Sequence, residues 1–373
     1  MERSSRSLDA ADTAAAADTA AAADTADTAG AADTAAAADT AAAADTADTV
    51  EAVGELATLA RILPRLPRGL DTQLGPGDDA AVVAAPDGRF VVTTDLMVHG
   101  PDFRRAWSTP HDLGWKAAAS NLSDVAAMGA RPTALVVALA VPGDTPVVDL
   151  EGLADGLRDA CAAMAPGCGV VGGDLSVSAV FTVAVTAFGD LDGHDPVRRD
   201  GARVGDVVAV SGPLGRAARG LDLLFRLGVD HDGVPDAALA REVRDRDADV
   251  GWQLAPTPPI ADGPAAALAG ARAMLDLSDG LALDASRLAR ASGVVLDLES
   301  AALGADPHAA LAGGEDHSLL ATFPADADLP GGFRRLGTVR EVGGGAPRVA
   351  VDGRDLGEPG GWDPYRLWSG QQG

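Results

Sequence analysis

Residues 112–132 read DLGWKAAASNLSDVAAMGARP, and residues 133–141 continue TALVVALAV. Pro110-His111-Asp112 marks a helix start, and the alanine-rich run that follows favours helix over 110–128. The next nine residues form a strongly apolar strand. Asn121 and Asp124 stand three apart and so share one helical face. Lys116, the only lysine in the chain, lies earlier on the same helix, where it can pair with a carboxylate.

Working upstream, EAVGELATLARIL (51–63) has the apolar spacing of an amphipathic helix ended by Pro64. GPGDDAAVVAA, the Pro86-Asp87-Gly88 turn and FVVTT ending at Asp95 predict a hairpin over 79–95, with acidic groups near its open ends. Downstream, 149–165 reads as helix, and VVGGD and AVFTVAVTAFG as two strands. The second half opens with VVAVSGPLG, a strand entering a Gly/Pro turn. Helices follow at 214–227, 264–275 and 280–292, with a strand at VVLDLES and a loop then strand at GGEDHSLLATF. This is an α+β/α/β two-domain pattern, divided near 190–205 into regions 51–195 and 196–373, with no detectable sequence repeat between them.

The chain has 373 residues, with 29 Lys plus Arg against 55 Asp plus Glu, for a net charge of −26. Residues 10–49 are almost wholly Ala, Asp and Thr in an ADTAAA repeat. Its six-residue step turns each Asp by about 240° around a helix, so no polar stripe forms. Residues 1–50 therefore read as a low-complexity tail, disordered or transiently helical. Without them the chain still carries 27 basic and 45 acidic residues, net −18. That charge argues against a nucleic-acid partner but admits polyanionic substrates when metal ions stand between. Cys161 and Cys168 are too few for a disulfide scaffold or thiolate zinc site. No apolar stretch reaches membrane-spanning length, and no signal peptide is recognisable, which predicts a cytoplasmic protein.

The chemistry concentrates where Asp meets Gly, Ser or Thr: Gly77-Asp78-Asp79, Thr93-Thr94-Asp95, Asn121–Asp124, Gly172-Gly173-Asp174, Asp276–Gly280 and Gly314-Glu315-Asp316. Asp-Gly pairs are also common turn signals, and Ser278 or Asp279 can equally be a helix cap. As a set, these carboxylates with so little lysine call for a cation. Hard oxygen donors without Cys or convergent His suit Mg²⁺. No G-x-x-x-x-G-K-[ST] or G-x-G-x-x-G arrangement is present, nor are the protein-kinase HRD and DFG motifs. His99, His111 and His317 are dispersed. Ser211-Gly212-Pro213-Leu214-Gly215 reads either as an anion-binding turn or as a plain strand-to-helix connection.

The combination of GPGDDAAVV, TTDLMV, DLGWKAAASNLSDVAAMGARP, VVGGDLS, DLSDGLALD, GGEDHSLLATF and GWDPYR resembles the thiamine-monophosphate kinase family, over about 51–367. That family belongs to the aminoimidazole ribonucleotide synthetase-like ATP-binding superfamily. The resemblance implies an N-terminal domain that builds a shared barrel across a homodimer, and a C-terminal α/β domain that closes the active site. It implies direct transfer of the ATP γ-phosphoryl group to the phosphate of thiamine monophosphate, giving thiamine diphosphate and ADP, with several Mg²⁺ ions and no general base. Neither nucleic acid nor membrane is expected as a partner.

Carried over by position, the metal residues are Asp79, Thr94, Asp95, Asp124, Asp174, Asp276 and Asp279, with Asp78 as an alternative to Asp79. Thr93, Gly173, Arg199 and Ser278 are the implied ATP residues, with Arg198 able to share the arginine's role. Asp102, Glu315 and Trp362 are the implied acceptor residues. The chain departs from the family pattern in four places. Asp102 stands where the family has His, His99 replaces Glu, His317 replaces Tyr, and Ala255 lies where an arginine is usual. The competing readings are another ATP-dependent phosphotransferase or synthetase of the superfamily and a non-catalytic homodimeric scaffold. A selenophosphate synthetase would carry a reactive Cys near its N-terminal Lys, and no Cys precedes Cys161.

Overall fold

The computed structural model describes residues 48–76, 80–357 and 360–361, all within one compact unit. The Ala/Asp/Thr segment up to Ala47, together with Asp78, Asp79 and Trp362, lies outside the described residues. In chain order the first half comprises helices Val50–Val53 (α1) and Glu55–Ile62 (α2), strands Thr72–Leu74 (β1), Val82–Val83 (β2) and Val91–Val98 (β3), helix Pro110–Ala127 (α3), strand Arg131–Val141 (β4), helix Val147–Met164 (α4), and strands Gly169–Val177 (β5) and Thr182–Asp190 (β6). The second half comprises strand Val207–Ser211 (β7), helices Arg216–Leu227 (α5), Ala237–Arg246 (α6), Ala248–Leu254 (α7) and Asp262–Leu268 (α8), strand Ala273–Leu277 (β8), helix Leu281–Ser292 (α9) and strand Val295–Leu298 (β9). It ends with helix Pro307–Ala312 (α10) and strands Ser318–Phe323 (β10), Arg334–Arg340 (β11), Arg348–Val351 (β12) and Arg354–Asp355 (β13).

Two larger sheets organise the chain: a four-stranded sheet ordered β3-β6-β4-β5, and a seven-stranded sheet ordered β13-β12-β9-β11-β7-β10-β8. The VVAVS run of β7 is central in the second sheet and buried at every residue, as an apolar strand covered on both faces should be. The main core runs from α3, α4 and the first sheet into Val207, Ala209, Leu319 and Phe323 of the second. A separate core packs α9 against that second sheet.

Three expectations are corrected. The helix over 51–63 is two helices, because Gly54 at φ 80° breaks the α-helical path. The 79–95 hairpin does not form: β2 pairs with β1, while β3 pairs with β6 over eight residues through Val98. The helix over 264–275 ends at Leu268; Gly270 turns the chain, and 273–277 joins the sheet as β8 beside β10. Asp48–Val50, placed in the low-complexity tail by composition, are bound to the start of α4: Val147 N donates to Asp48 O at 2.8 Å and Val50 N to Thr145 O at 3.0 Å.

Helix α3 positions the site. Thr109 and Asp112 close a capping box at its start, Asp112 N donating to Thr109 Oγ1 at 3.1 Å and Thr109 N to Asp112 Oδ2 at 2.9 Å. Arg244 of α6 grips Asp112 with both nitrogens, at 2.7 and 2.9 Å. Although burial raises the Asp112 pKa, the contacts from Arg244 and Thr109 outweigh it and hold the carboxyl below its usual range. Where α3 meets α4, Gly114 and Gly156 carry no side chains, so α4 packs directly on the α3 backbone. A Cβ added at Gly114 would stand 2.0 Å from Leu153 O, and one at Gly156 would stand 2.1 Å from His111 O. Gly156→Ala gains about 1 kcal/mol of helix propensity, yet spreading the helix pair costs about 3 kcal/mol. We expect a net loss of about 2 kcal/mol in urea unfolding; an unchanged midpoint would refute the close-approach account.

Candidate active site

Strand β3 alternates its side chains, so Thr93 and Asp95 face α3 while Thr94 points to the other side. Thr93 Oγ1 donates to Asp124 Oδ2 at 2.8 Å, and Asp95 N donates to Asn121 Oδ1 at 3.2 Å. The shared helical face of Asn121 and Asp124 is thus turned onto β3. Thr94 Oγ1 instead donates to Val185 O at 2.9 Å and accepts from Thr186 Oγ1. The strand's two-residue period therefore separates the Thr94 side chain from the Asp95–Asp124 pair.

The DLSDG segment arrives from β8. Asp276 Oδ2 accepts from Ser123 Oγ on α3 at 3.1 Å and lies 3.3 Å from Nδ1 of the buried His317. Burial disfavours the His317 cation, but the Asp276 contact outweighs it and raises the pKa. Asp279 lies 2.6 Å from Arg287. Neither Asp279 nor Ser278 caps α9. Asp284 does so from within the helix, accepting from Asp279 N at 3.0 Å and Gly280 N at 3.1 Å.

Charge compensation is uneven. Asp276 has His317 and Asp279 has Arg287, but among the described residues neither Asp95 nor Asp124 is ion-paired. Burial, then the neighbouring Asp276 and Asp95 carboxylates, push the Asp124 pKa up to about 7. Burial likewise raises Asp95, with Asp276 and Asp279 adding to it and His317 opposing. Two desolvated, uncompensated carboxylates, Asp124 held by Thr93 and Asp95 on a backbone fixed by Asn121, offer hard anionic oxygens, which fits Mg²⁺.

Among the described residues, no three of these carboxylates converge within 4.8 Å. That spacing suits an ion whose shell is completed by substrate phosphate oxygens rather than a closed protein cage. Among the described residues the converging trio is Asp230, His231 and Asp232, all exposed. There Asp230 Oδ1 accepts from Asp232 N and Val234 N, both at 2.9 Å, which are the internal bonds of a turn.

Beside the carboxylates lies a cavity of about 410 Å³. Its walls include Asp102, Arg104, Lys116, Gln253, Glu315 and Gly361. Lys116 Nζ donates to Glu315 Oε2 at 3.0 Å. Burial raises the Glu315 pKa, but Lys116 and Gln253 outweigh it and hold the carboxyl below its usual range. Asp102 accepts from Val98 N at 2.7 Å, and its pKa is raised, chiefly by burial. On another wall, the Arg104 guanidinium lies 4.7 Å from the ring centroids of both Trp107 and Phe225.

The other sequence candidates lie apart from this centre. Gly173 and Asp174 are exposed on β5, at the opposite edge of the sheet from β3. Exposed Arg199 follows Arg198, which bridges to Ala273 at the end of β8 away from Asp276. Arg198 itself pairs with Asp200. The Ser211–Gly215 segment is a strand-to-helix connection. Asp316 fills the N-terminus of α5, accepting from Arg216 N at 3.1 Å and Ala217 N at 2.7 Å, so no external anion is required there. Sequence reasoning missed Asp284, Arg287 and Gln253. Asp284 leaves a faint signal, an acidic residue in the first turn of a helix whose preceding glycine has no side chain to cap it.

Comparison with known proteins agrees with this geometry. Residues 77–191 match the family model for the AIR synthase related protein, N-terminal domain. The thiamine-monophosphate kinase of Mycobacterium tuberculosis (strain CDC 1551 / Oshkosh) is 43% identical over 335 residues, covering 86% of this chain and 92% of that protein. The crystal structure of thiamine monophosphate kinase from Aquifex aeolicus superposes with a TM-score of 0.61 at 32% identity, covering 74% of this chain and 91% of that one. A structure of AaThiL complexed with AMPPCP and TMP gives a TM-score of 0.62 at 32% identity, covering 85% of this chain and 99% of that one. With carboxylates, cavity and near full-length relatives in agreement, the chain belongs to the thiamine-monophosphate kinase family.

Proposed function

We propose that this protein transfers the γ-phosphoryl group of ATP to the phosphate of thiamine monophosphate, releasing thiamine diphosphate and ADP. The observation that carries this reading is the uncompensated Asp95–Asp124 pair beside a cavity walled by Asp102, Lys116 and Glu315. The acceptor phosphate is already an anionic nucleophile, so no strong general base is needed. Mg²⁺, when bound, supplies charge screening between the two phosphate groups and electrostatic stabilisation of the transferring group. Thr93 and Asn121 fix Asp124 and the backbone at Asp95, while Ser123 and His317 orient Asp276.

In this proposal Thr93, Gly173, Arg199 and Ser278 bind ATP, and Asp102, Glu315 and Trp362 bind the acceptor. Asp79, Thr94, Asp95, Asp124, Asp174, Asp276 and Asp279 serve the metals. A homodimer with a shared barrel is part of the same reading. Val92 and Leu96 of β3 are exposed apolar residues on the sheet face that also carries Thr94, the kind of surface a second copy covers. A second copy would also supply a β5 edge carrying Gly173 and Asp174 to the β3 edge of the first. The division into an N-terminal region of 51–195 and a C-terminal region of 196–373 follows the two larger sheets. A cytoplasmic location is part of the same proposal; no helix among the described residues is long and apolar enough to cross a membrane. Incubation with ATP, Mg²⁺ and thiamine monophosphate tests the activity. Thiamine diphosphate and ADP should form in equal amounts; ADP alone would point to a different acceptor.

A further inference from the structure

Lys116 is the only lysine in 373 residues, and its side chain is 7% exposed. Burying an ammonium group is costly unless a partner compensates it. Its partner is Glu315, which lies 199 residues away in sequence. Gln253, itself buried, donates its Nε2 to the same carboxylate oxygen, Oε2, at 2.5 Å. Two donors from two helices thus converge on one oxygen. Oε1 of Glu315 receives no hydrogen bond from any described residue, and Oε1 of Gln253 is buried with no hydrogen-bond partner. Both side chains line the 410 Å³ cavity. Glu315 is held there with a left-handed backbone, φ 65°, in which a β-carbon is strained. A tie whose only purpose was to join elements would not need that conformation, nor would it leave Oε1 of Glu315 without a donor among the described residues beside the cavity.

We infer that Lys116, Gln253 and Glu315 form the acceptor-reading edge of the cavity: Lys116 and Gln253 occupy Oε2 of Glu315, and Oε1 of Glu315 accepts from an amino group on a heteroaromatic ring of the acceptor. This rests on the proposed acceptor, whose pyrimidine carries one amino group and whose thiazolium is cationic. Lys116 is a positioning residue in this scheme. It fixes the carboxylate and keeps it charged without touching the substrate. Gln253 is a positioning residue in the same sense, holding Oε2 of Glu315 through its Nε2. A site built to accept such a hydrogen bond discriminates against an analogue that lacks the donor.

The test compares thiamine monophosphate with its analogue in which the pyrimidine amino group is replaced by an oxo group. For the wild type, kcat/KM should favour the amino compound by about tenfold or more. Lys116→Met should reduce that preference to below about threefold and raise KM for thiamine monophosphate, with KM for ATP unchanged within about twofold. Lys116→Arg should restore the preference. If Lys116→Met does not fold, Gln253→Met is read in the same way. A wild type that uses both acceptors equally, or a folded Lys116→Met or Gln253→Met that keeps the full preference, overturns the inference. Failure of the parent reading shows differently, as a wild type that makes no thiamine diphosphate at all, and the inference then falls with it.

Discussion

Asp124→Asn should lower turnover by about 10³-fold and at the same time stabilise the metal-free protein at pH 8. The two effects share one cause. Asp124 is held against β3 by Thr93, largely out of water and facing other carboxylates, so its charge is unfavourable until a cation arrives. Asparagine keeps the shape and removes the charge. Raising the carboxyl from 3.8 to about 7 corresponds to an upper limit of about 4 kcal/mol. Because neighbouring carboxylates share the titration, a gain of about 2 kcal/mol is the expected size. Thermal unfolding in EDTA and steady-state turnover at saturating Mg²⁺ check the two halves. A variant that retained more than about a tenth of wild-type turnover would remove Asp124 from the site.

The second large effect is the pH dependence of the metal-free fold. Asp124 and Asp284 both have folded-state pKa values raised to about 7, from the ordinary carboxyl value of 3.8, chiefly by burial. Between about pH 4 and 7 the folded state therefore holds more protons than the unfolded chain, and stability falls as pH rises through that window. We expect the wild type in EDTA to lose about 2 kcal/mol or more between pH 5 and 8. Mg²⁺ should reverse the loss at pH 8, by about 2.7 kcal/mol at one hundred times its dissociation constant. Asp124→Asn should flatten part of the profile and weaken the magnesium response. A metal-free profile that instead rose from pH 5 to 8 would contradict the buried-carboxylate account.

What the sequence made legible follows the range of each interaction. Helix α3 and strand β4 are local matters of capping, composition and run length, and the spacing of Asn121 and Asp124 put both on the face that meets β3. The 79–95 hairpin failed because nearness in sequence suggested a partner, whereas the short β2 pairs with β1, whose Thr72-Gln73-Leu74 carries no apolar alternation. The 264–275 segment is rich in helix formers, but the free edge beside β10 captured its second part. Helix α6 was hidden by its polarity, burying only Ala240 and Val243, and α7 by its length of seven residues. At the site, the sequence reading grouped Thr94 with Asp95, whereas the two-residue period of β3 turns the Thr94 side chain to the face away from Thr93 and Asp95. No local pattern shows that Asp174 lies at the opposite sheet edge, since strand order is decided by long-range pairing. The Lys116–Glu315 pair is similarly invisible until both halves are folded.

Glu315, Asp316 and His317 contact three separate places: Lys116 and Gln253, the N-terminus of α5, and Asp276. Left-handed backbone at Glu315 and His317 sets the successive directions. The consequence is evolutionary. A point change in this tripeptide alters one contact and leaves room for repair by a later change elsewhere. An inserted or deleted residue would move all three side chains to the wrong neighbours at once, with no single compensating substitution. Drift through this segment should therefore occur by exchange of letters at constant length.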